Sequence, residues 1–258
     1  MSGVTITYIG GPTALVEFGG LRLLTDPAFD PPGGDYTTGL VTLHKSEGPA
    51  RPADSLGHLD AVLLSHDHHF DNLDHAGRDL LPKAKGVLTT QAGEERLGGN
   101  AVGLVPWEVF DLSAPDGRIL RIIATPARHG PEGGDRGPVI GFVLAFTDSP
   151  EQAIYISGDT VWYEGVAEVA ERFPIKVALL FLGAARVAVV GPQHLTMTAE
   201  EGVTAAHAFP EATIVPLHFE GWTHFSQSRP EIDAAFQAAG LADRLHWPDP
   251  ARPITLSL

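Results

Sequence analysis

Four short aliphatic runs in this chain each lead into a residue that can bind a metal, and this recurrence limits the fold more than any other feature. AVLLS runs into His66, IIATPAR into His129, AIYISG into Asp159 and TIVPL into His218. A brief aliphatic run bounded by turn residues reads as a buried strand. The end of such a strand holds the backbone rigidly while the next residue faces a cleft, which is what a ligand needs. Four such endings, far apart in the chain, predict strand ends that meet. The densest is residues 61–74, AVLLSHDHHFDNLD, with His66, His68, His69, Asp71 and Asp74 inside nine positions. Imidazoles and carboxylates together suit a divalent ion such as zinc.

The rest of the chain supplies the scaffold. Residues 4–9, 14–18 and 21–25 read as strands joined by glycine turns, with Asp26 closing the last. Residues 29–59 are rich in Pro, Gly, Asp and Ser and read as a long surface loop, with His44 and His58 solvated in it. A helix is expected over 71–81, capped by Asp71 or Asn72 and stopped by Pro82. Further strands are expected over 86–89, 118–125, 139–146, 153–157, 177–182, 213–217 and 254–256. Further helices are expected over 91–97, 163–173, 198–209 and 230–239, with Thr198 as an N-cap and Gly240 as a C-cap. No internal repeat or hinge-like linker interrupts the pattern. One α/β domain over 1–258 follows, with two strand-rich halves packed face to face and helices outside.

Composition removes several function classes. The net charge of −15, with only 17 Lys and Arg and no basic run, disfavours nucleic acid and anionic membranes as partners. The absence of cysteine excludes disulfides, thiolate metal sites and a cysteine nucleophile. The start MSGVTITYIGG lacks a basic region followed by an apolar one, and no apolar run approaches the ~20 residues of a membrane helix. A cytoplasmic protein acting on a small-molecule substrate is the expectation, with a homo-oligomer left open. No Gly-x-Ser-x-Gly elbow supports a serine hydrolase.

The blocks ITYIGGPTALVEFGGLRLLTDP, LLSHDHHFDNLD, TPARHG, YISGDT, QHLTMTAEEG and PLHFEGW together resemble the metallo-β-lactamase superfamily of metal-dependent hydrolases. Within it the likeness is to the L-ascorbate-6-phosphate lactonase-like branch, related to N-acyl-phosphatidylethanolamine phospholipase D. The resemblance covers nearly the whole chain. It implies a four-layer αββα sandwich with one or two metal ions, Zn²⁺ or else Mn²⁺, in a cleft between sheet edges.

It also implies roles. His66 matches the first histidine of the family's H-x-H-x-D-H signature, His129 the third histidine of the first metal site, Asp159 the bridging aspartate, and His218 the last histidine on the second metal. The remainder of the signature fits in two frames. One takes His68 as the second histidine, with Phe70 and Asp71 where an aspartate-histidine pair belongs. The other takes His69 and Asp71, with one inserted residue, and is preferred because only Asn72 then departs from the pattern. Asn72 stands where the second site has a histidine, and Gly10-Gly11 stands where the branch has Gly-His.

The implied chemistry is hydrolysis of a small ester, lactone or phosphoester by a metal-activated water. Asp159, Asp71 and His194 are the candidate catalytic residues, Asp159 orienting the water and accepting its proton. Asp26 matches a cleft-lining position, while His75, His207, His224 and Arg128 receive no role. The competing expectation, motivated by Asn72 and the missing Gly-His pair, is a catalytically degenerate relative that binds a metabolite or partner.

Overall fold

The computed structural model describes residues 3–258; Met1 and Ser2, the start of the stretch read for a leader, lie outside the described residues. β1 (Gly3–Gly10), β2 (Thr13–Phe18) and β3 (Leu21–Thr25) form an antiparallel meander. Its second turn, Gly19-Gly20, has φ of 59° and 80°, the left-handed pair that a tight two-residue hairpin requires. β4 (Asp35–Thr38) and β5 (Val41–His44) make a separate hairpin inside the segment expected to be a loop. DYTT and VTLH were hard to see as strands because both are largely exposed. β6 (Ala61–Leu63), α1 (His75–Leu80), β7 (Val87–Thr90), α2 (Gln91–Leu97) and β8 (Ala101–Leu104) complete the first half.

The second half runs β9 (Val109–Ser113), β10 (Ile119–Pro126), β11 (Ile140–Phe146), β12 (Ser149–Ile156), α3 (Glu164–Arg172), β13 (Ile175–Phe181), α4 (Ala199–Ala208), β14 (Thr213–Leu217) and α5 (Arg229–Ala238). β15 (Pro253–Ser257) then returns to pair with β1 at the edge of the first sheet.

Two large sheets result, ordered β15-β1-β2-β3-β6-β7-β8 and β14-β13-β12-β11-β10-β9. Strand alternation decides what each face buries. Ile154 and Ile156 enter the core between the sheets, against Ile6, Val16 and Leu63. Tyr155, one residue out of phase, packs outward under the helices with Val166 and Phe236. Leu24, Val62 and Leu64 face the opposite outer layer, where Leu73 and Leu80 cover them. The architecture is therefore helix, sheet, sheet, helix, as expected. Among the described residues no helix is long and apolar enough to cross a membrane.

Strand direction positions the site. β10 and β12 are each antiparallel to β11 between them, so they run the same way; β13 and β14 are parallel to β12. The ends of β10, β12 and β14 consequently lie on one edge of their sheet. In the other sheet β3, β6 and β7 are parallel. Ligands bind at the carboxyl ends of such strands.

The helix expected over 71–81 begins only at His75. Asp74, not Asp71 or Asn72, is its N-cap, accepting from the Gly77 N–H at 2.9 Å. Asp74 also accepts from the backbone N–H groups of Phe29 and Asp30 and from Lys45 Nζ at 2.6 Å. This buried hub ties α1, the chain after β3 and the β4–β5 hairpin to one carboxylate. The caps at Thr198 and Ser228 are both capping boxes, and Gly240 past α5 has φ of 71°.

Gly77 shows how closely α1 approaches the strand ends. A Cβ there would lie 1.9 Å from the Pro27 carbonyl oxygen. A helical Gly→Ala change ordinarily favours the folded state by about 0.5–1 kcal/mol, but here the backbone has to move. Gly77→Ala is expected to destabilise by about 1–3 kcal/mol, the usual cost of overpacking. Urea denaturation checks this, and an unchanged or raised midpoint would contradict it.

Candidate metal centre

His66 follows β6 by way of Leu64 and Ser65, and its ring is fully buried. Its orientation is set by a chain of donors. The Ser65 hydroxyl donates to Asp26 Oδ1 at 2.8 Å, as does the Ser65 N–H. With its proton committed, Ser65 Oγ accepts from His66 Nδ1–H at 2.9 Å. The lone pair of His66 is therefore on Nε2. His129, just beyond β10, is fixed similarly. Its Nδ1 lies 2.9 Å from the Leu195 carbonyl oxygen, which can only accept, so its lone pair is also on Nε2.

His69 Nδ1 lies 3.0 Å from His66 Nε2 and 3.1 Å from His129 Nε2. Donor atoms of all three rings lie within 4.8 Å of one another. Lone pairs on His66 and His129 both face a single nitrogen that carries at most one proton. At least one contact then sets lone pair against lone pair, and a shared cation removes that conflict. Two ligands of one zinc at ~2.0–2.2 Å lie about 3–3.5 Å apart, so the spacing fits such an ion. Asp159 Oδ2 lies beside this cluster, 3.5 Å from His129 Nε2, and has no hydrogen-bond partner.

The backbone holds these groups under load. Asp67, inside the histidine run, is gripped on both carboxylate oxygens by Arg96 of α2. His218, next after β14, has φ of 53°, a costly value for a residue with a Cβ. Its N–H donates to the Gly11 carbonyl at 2.8 Å. A Cβ on Gly183 would come within 2.4 Å of the His218 carbonyl oxygen. Gly11 and Gly183 thus let two turns close on His218.

The remaining candidates divide. His218 Nδ1 lies 2.8 Å from Asp159 Oδ1, leaving His218 Nε2 buried, unpartnered and 3.6 Å from Asp71 Oδ2. Asp71, Asp159 and His218 are thus brought together beside the three-histidine cluster. His68 turns away, its Nε2 at 2.8 Å from the Arg136 carbonyl oxygen. His194 lies at the surface, 3.0 Å from Glu201; its neighbour Leu195 is the one that touches the cluster. Asn72 is buried with neither amide atom bonded. His224, given no role from sequence, has Nε2 at 3.0 Å from Asp71 Oδ2. No periodicity in GWTHF could have revealed it, because it follows a turn rather than a strand.

Burial sets the charge states. Desolvation, reinforced by neighbouring imidazoles, pushes His66 well down and His69 down to about 3. Burial alone would raise Asp159, but the charge and hydrogen bond of His218 more than offset it and hold Asp159 below the usual carboxylate range. Asp71 is lowered likewise, burial being outweighed by His224 and His218. Burial pushes Asp26 well above its ordinary value.

A pH prediction follows for metal-free protein. In the unfolded chain His69 takes a proton near pH 6.5, whereas the folded site refuses it down to about 3. The folded state binds fewer protons across that window, so its stability is full above about pH 6.5 and falls as pH drops towards 3. Melting of chelator-treated protein at successive pH values should show this decline, shallower in His69→Asn. Parallel wild-type and variant profiles would contradict it.

Residues 21–219 match the family described as the beta-lactamase superfamily domain. The chain is 26% identical over 245 residues to a UPF0173 metal-dependent hydrolase of Pyrobaculum aerophilum, covering 92% of this chain and 93% of that one. Its fold matches that of a possible metal-dependent hydrolase from Veillonella parvula, with a TM-score of 0.82 at 20% identity over 99% of this chain and 100% of that one. It also matches the isothiocyanate hydrolase from Delia radicum gut bacteria, with a TM-score of 0.78 at 24% identity over 97% and 98% of the two chains.

Proposed function

The chain belongs to the beta-lactamase superfamily, and on that premise we propose that it is a metal-dependent hydrolase of a small, uncharged ester or lactone carrying an apolar group. The observation that carries this reading is the convergence of His66 Nε2, His69 Nδ1 and His129 Nε2. The relatives' description as metal-dependent hydrolases supports it. A zinc or manganese ion bound there supplies Lewis acidity and a water acidic enough to ionise near neutral pH.

The chain's own groups do the rest. His66 and His129 would hold the ion through Nε2 lone pairs that are already aimed, and His69 through Nδ1. Asp159 is ionised at neutral pH, and its free Oδ2 orients the attacking water and accepts its proton. Ser65 and Asp26 keep His66 in its binding tautomer. A cleft adjoins His69, Asp71 and His129. Tyr36, Val41, Leu43, Phe70, Val187 and Leu195 line it, and Arg136 is its one lining Lys or Arg. That lining favours an apolar acyl or alkyl group and disfavours a phosphoester, whose charge would want more cationic partners.

Metal analysis with a substrate panel tests the reading. Purified protein should contain metal and turn over medium-chain p-nitrophenyl esters and alkyl lactones in preference to a phosphodiester. An isothiocyanate belongs in the panel because its electrophilic carbon is uncharged and its substituent apolar. His69→Ala should lose the metal and at least about a hundredfold in kcat/KM, judged against the 10–100-fold typical of groups one step further from a metal. His68→Ala should keep the metal. Loss of metal only in His68→Ala would contradict the assignment. Metal without turnover of any panel member would favour a binding protein.

A further inference from the structure

The loop between β10 and β11 brings one arginine to the cleft and leaves it without a partner. Arg136 lines the cleft beside His69, Asp71 and His129. Among the described residues its guanidinium makes no hydrogen bond or ion pair. Resting on the reading above, we propose that Arg136 is the counter-charge for the carboxylate that ester or lactone hydrolysis creates. The cleft then admits an uncharged substrate and holds its acid product through this one side chain.

The position of Arg136 is set from two sides of the metal centre. Its N–H donates to the His129 carbonyl at 2.9 Å. Its own carbonyl accepts from His68 Nε2–H at 2.8 Å. His68, which takes no part in the three-histidine cluster, serves here as a clasp on the loop. Gly137 lets that clasp close: its φ is 103°, and a Cβ there would lie 3.0 Å from His68 Nε2.

The carboxylates that could neutralise Arg136 are engaged elsewhere. Asp71 Oδ2 faces His224 Nε2 at 3.0 Å and His218 Nε2 at 3.6 Å. Asp135, next in the chain, folds back on its own turn, its Oδ1 accepting from the Gly137 N–H at 3.1 Å. Every other arginine among the described residues, except the exposed Arg186, lies against a carboxylate or a carbonyl oxygen. Arg136 alone keeps its fork of donors free within the cleft.

The chemistry supplies the missing partner. Hydrolysis breaks the acyl C–O bond and forms one from the acyl carbon to the oxygen of water. The alcohol oxygen takes up a proton and the new acid loses one, so a neutral ester or lactone yields a carboxylate and a proton. The negative charge is absent at the start and complete at the end. A guanidinium matches a carboxylate with two parallel N–H donors, and its attraction to an anion is stronger beside apolar walls than in open water. A group that meets charge only as it forms favours the reaction over the bound substrate. A single arginine also matches a single negative charge, as a carboxylate carries.

Calorimetric titration of metal-loaded protein with octanoate and with octanamide tests this, in wild type, Arg136→Gln and Arg136→Lys. Both ligands present the same chain, but only octanoate is charged. Arg136→Gln should bind octanoate about ten- to hundredfold more weakly than wild type, the worth of hydrogen bonds to a charged partner. Arg136→Lys should fall between them, and octanamide should bind all three proteins alike. Equal octanoate affinity in wild type and Arg136→Gln overturns the proposal. So does parallel weakening of both ligands, which a merely structural role would give, and so does a wild type that binds no octanoate. Failure of the wild type to turn over any ester or lactone overturns the hydrolase reading instead, and the titrations still decide Arg136.

Discussion

A single imidazole nitrogen, His69 Nδ1, faced at 3.0 and 3.1 Å by the lone pairs of His66 Nε2 and His129 Nε2, is the constraint on which the rest of this structure depends. Such an arrangement is unfavourable on its own. Burial depresses the basicity of His66 and His69, so the conflict is not relieved by taking up protons at neutral pH. The fold sustains it because each ring is anchored from behind, His66 through Ser65 and Asp26 and His129 through the Leu195 carbonyl. Part of the stability of two packed sheets is thereby spent on an unrelieved site that a cation can complete.

The scaffold around the site serves that end. Parallel and doubly antiparallel neighbours bring the ends of β10, β12 and β14 to one edge, and β6 brings His66 to them from the facing sheet. The turn between His66 and α1 is clamped on one side by Arg96 on Asp67 and on the other by the Asp74 hub. The ion pair of Asp74 with Lys45 is buried, at 0% and 3% side-chain exposure. Breaking one partner of such a pair costs about 3–5 kcal/mol. It fixes the base of the β4–β5 hairpin, whose Tyr36, Val41 and Leu43 form the apolar wall of the cleft. The hub that caps the helix behind the metal ligands thus also places the wall that meets substrate.

The sequence made the strand ends legible because burial enforces aliphatic runs, and a ligand placed directly after one inherits its position. His66, His129, Asp159 and His218 were all readable on that ground. The frame between His68 and His69 was harder, since both follow the same strand and only the turn between Asp67 and Asn72 decides which ring faces His129. His224 was not legible at all. Its place depends on the Thr223 N–H pairing with the His44 carbonyl and on its own carbonyl accepting from Arg186 N–H, contacts between distant loops that leave no local pattern. The late start of α1 has a related cause. Asp71 looked like a cap, but its carboxylate is drawn to His218 and His224, so capping passes to Asp74. The β4–β5 hairpin is not legible because its strands are only four residues long and mostly exposed, β4 carries a single buried aromatic, and the alternation in β5 is too short to separate from a loop.

An anomalous difference map from a crystal of metal-loaded protein, recorded at the metal's absorption edge, tests the central claim most directly. The account predicts a peak bounded by His66 Nε2, His69 Nδ1 and His129 Nε2, with His68 outside its coordination. A map with no peak among those three nitrogens, or with a peak coordinated by His68 in place of His69, would contradict it.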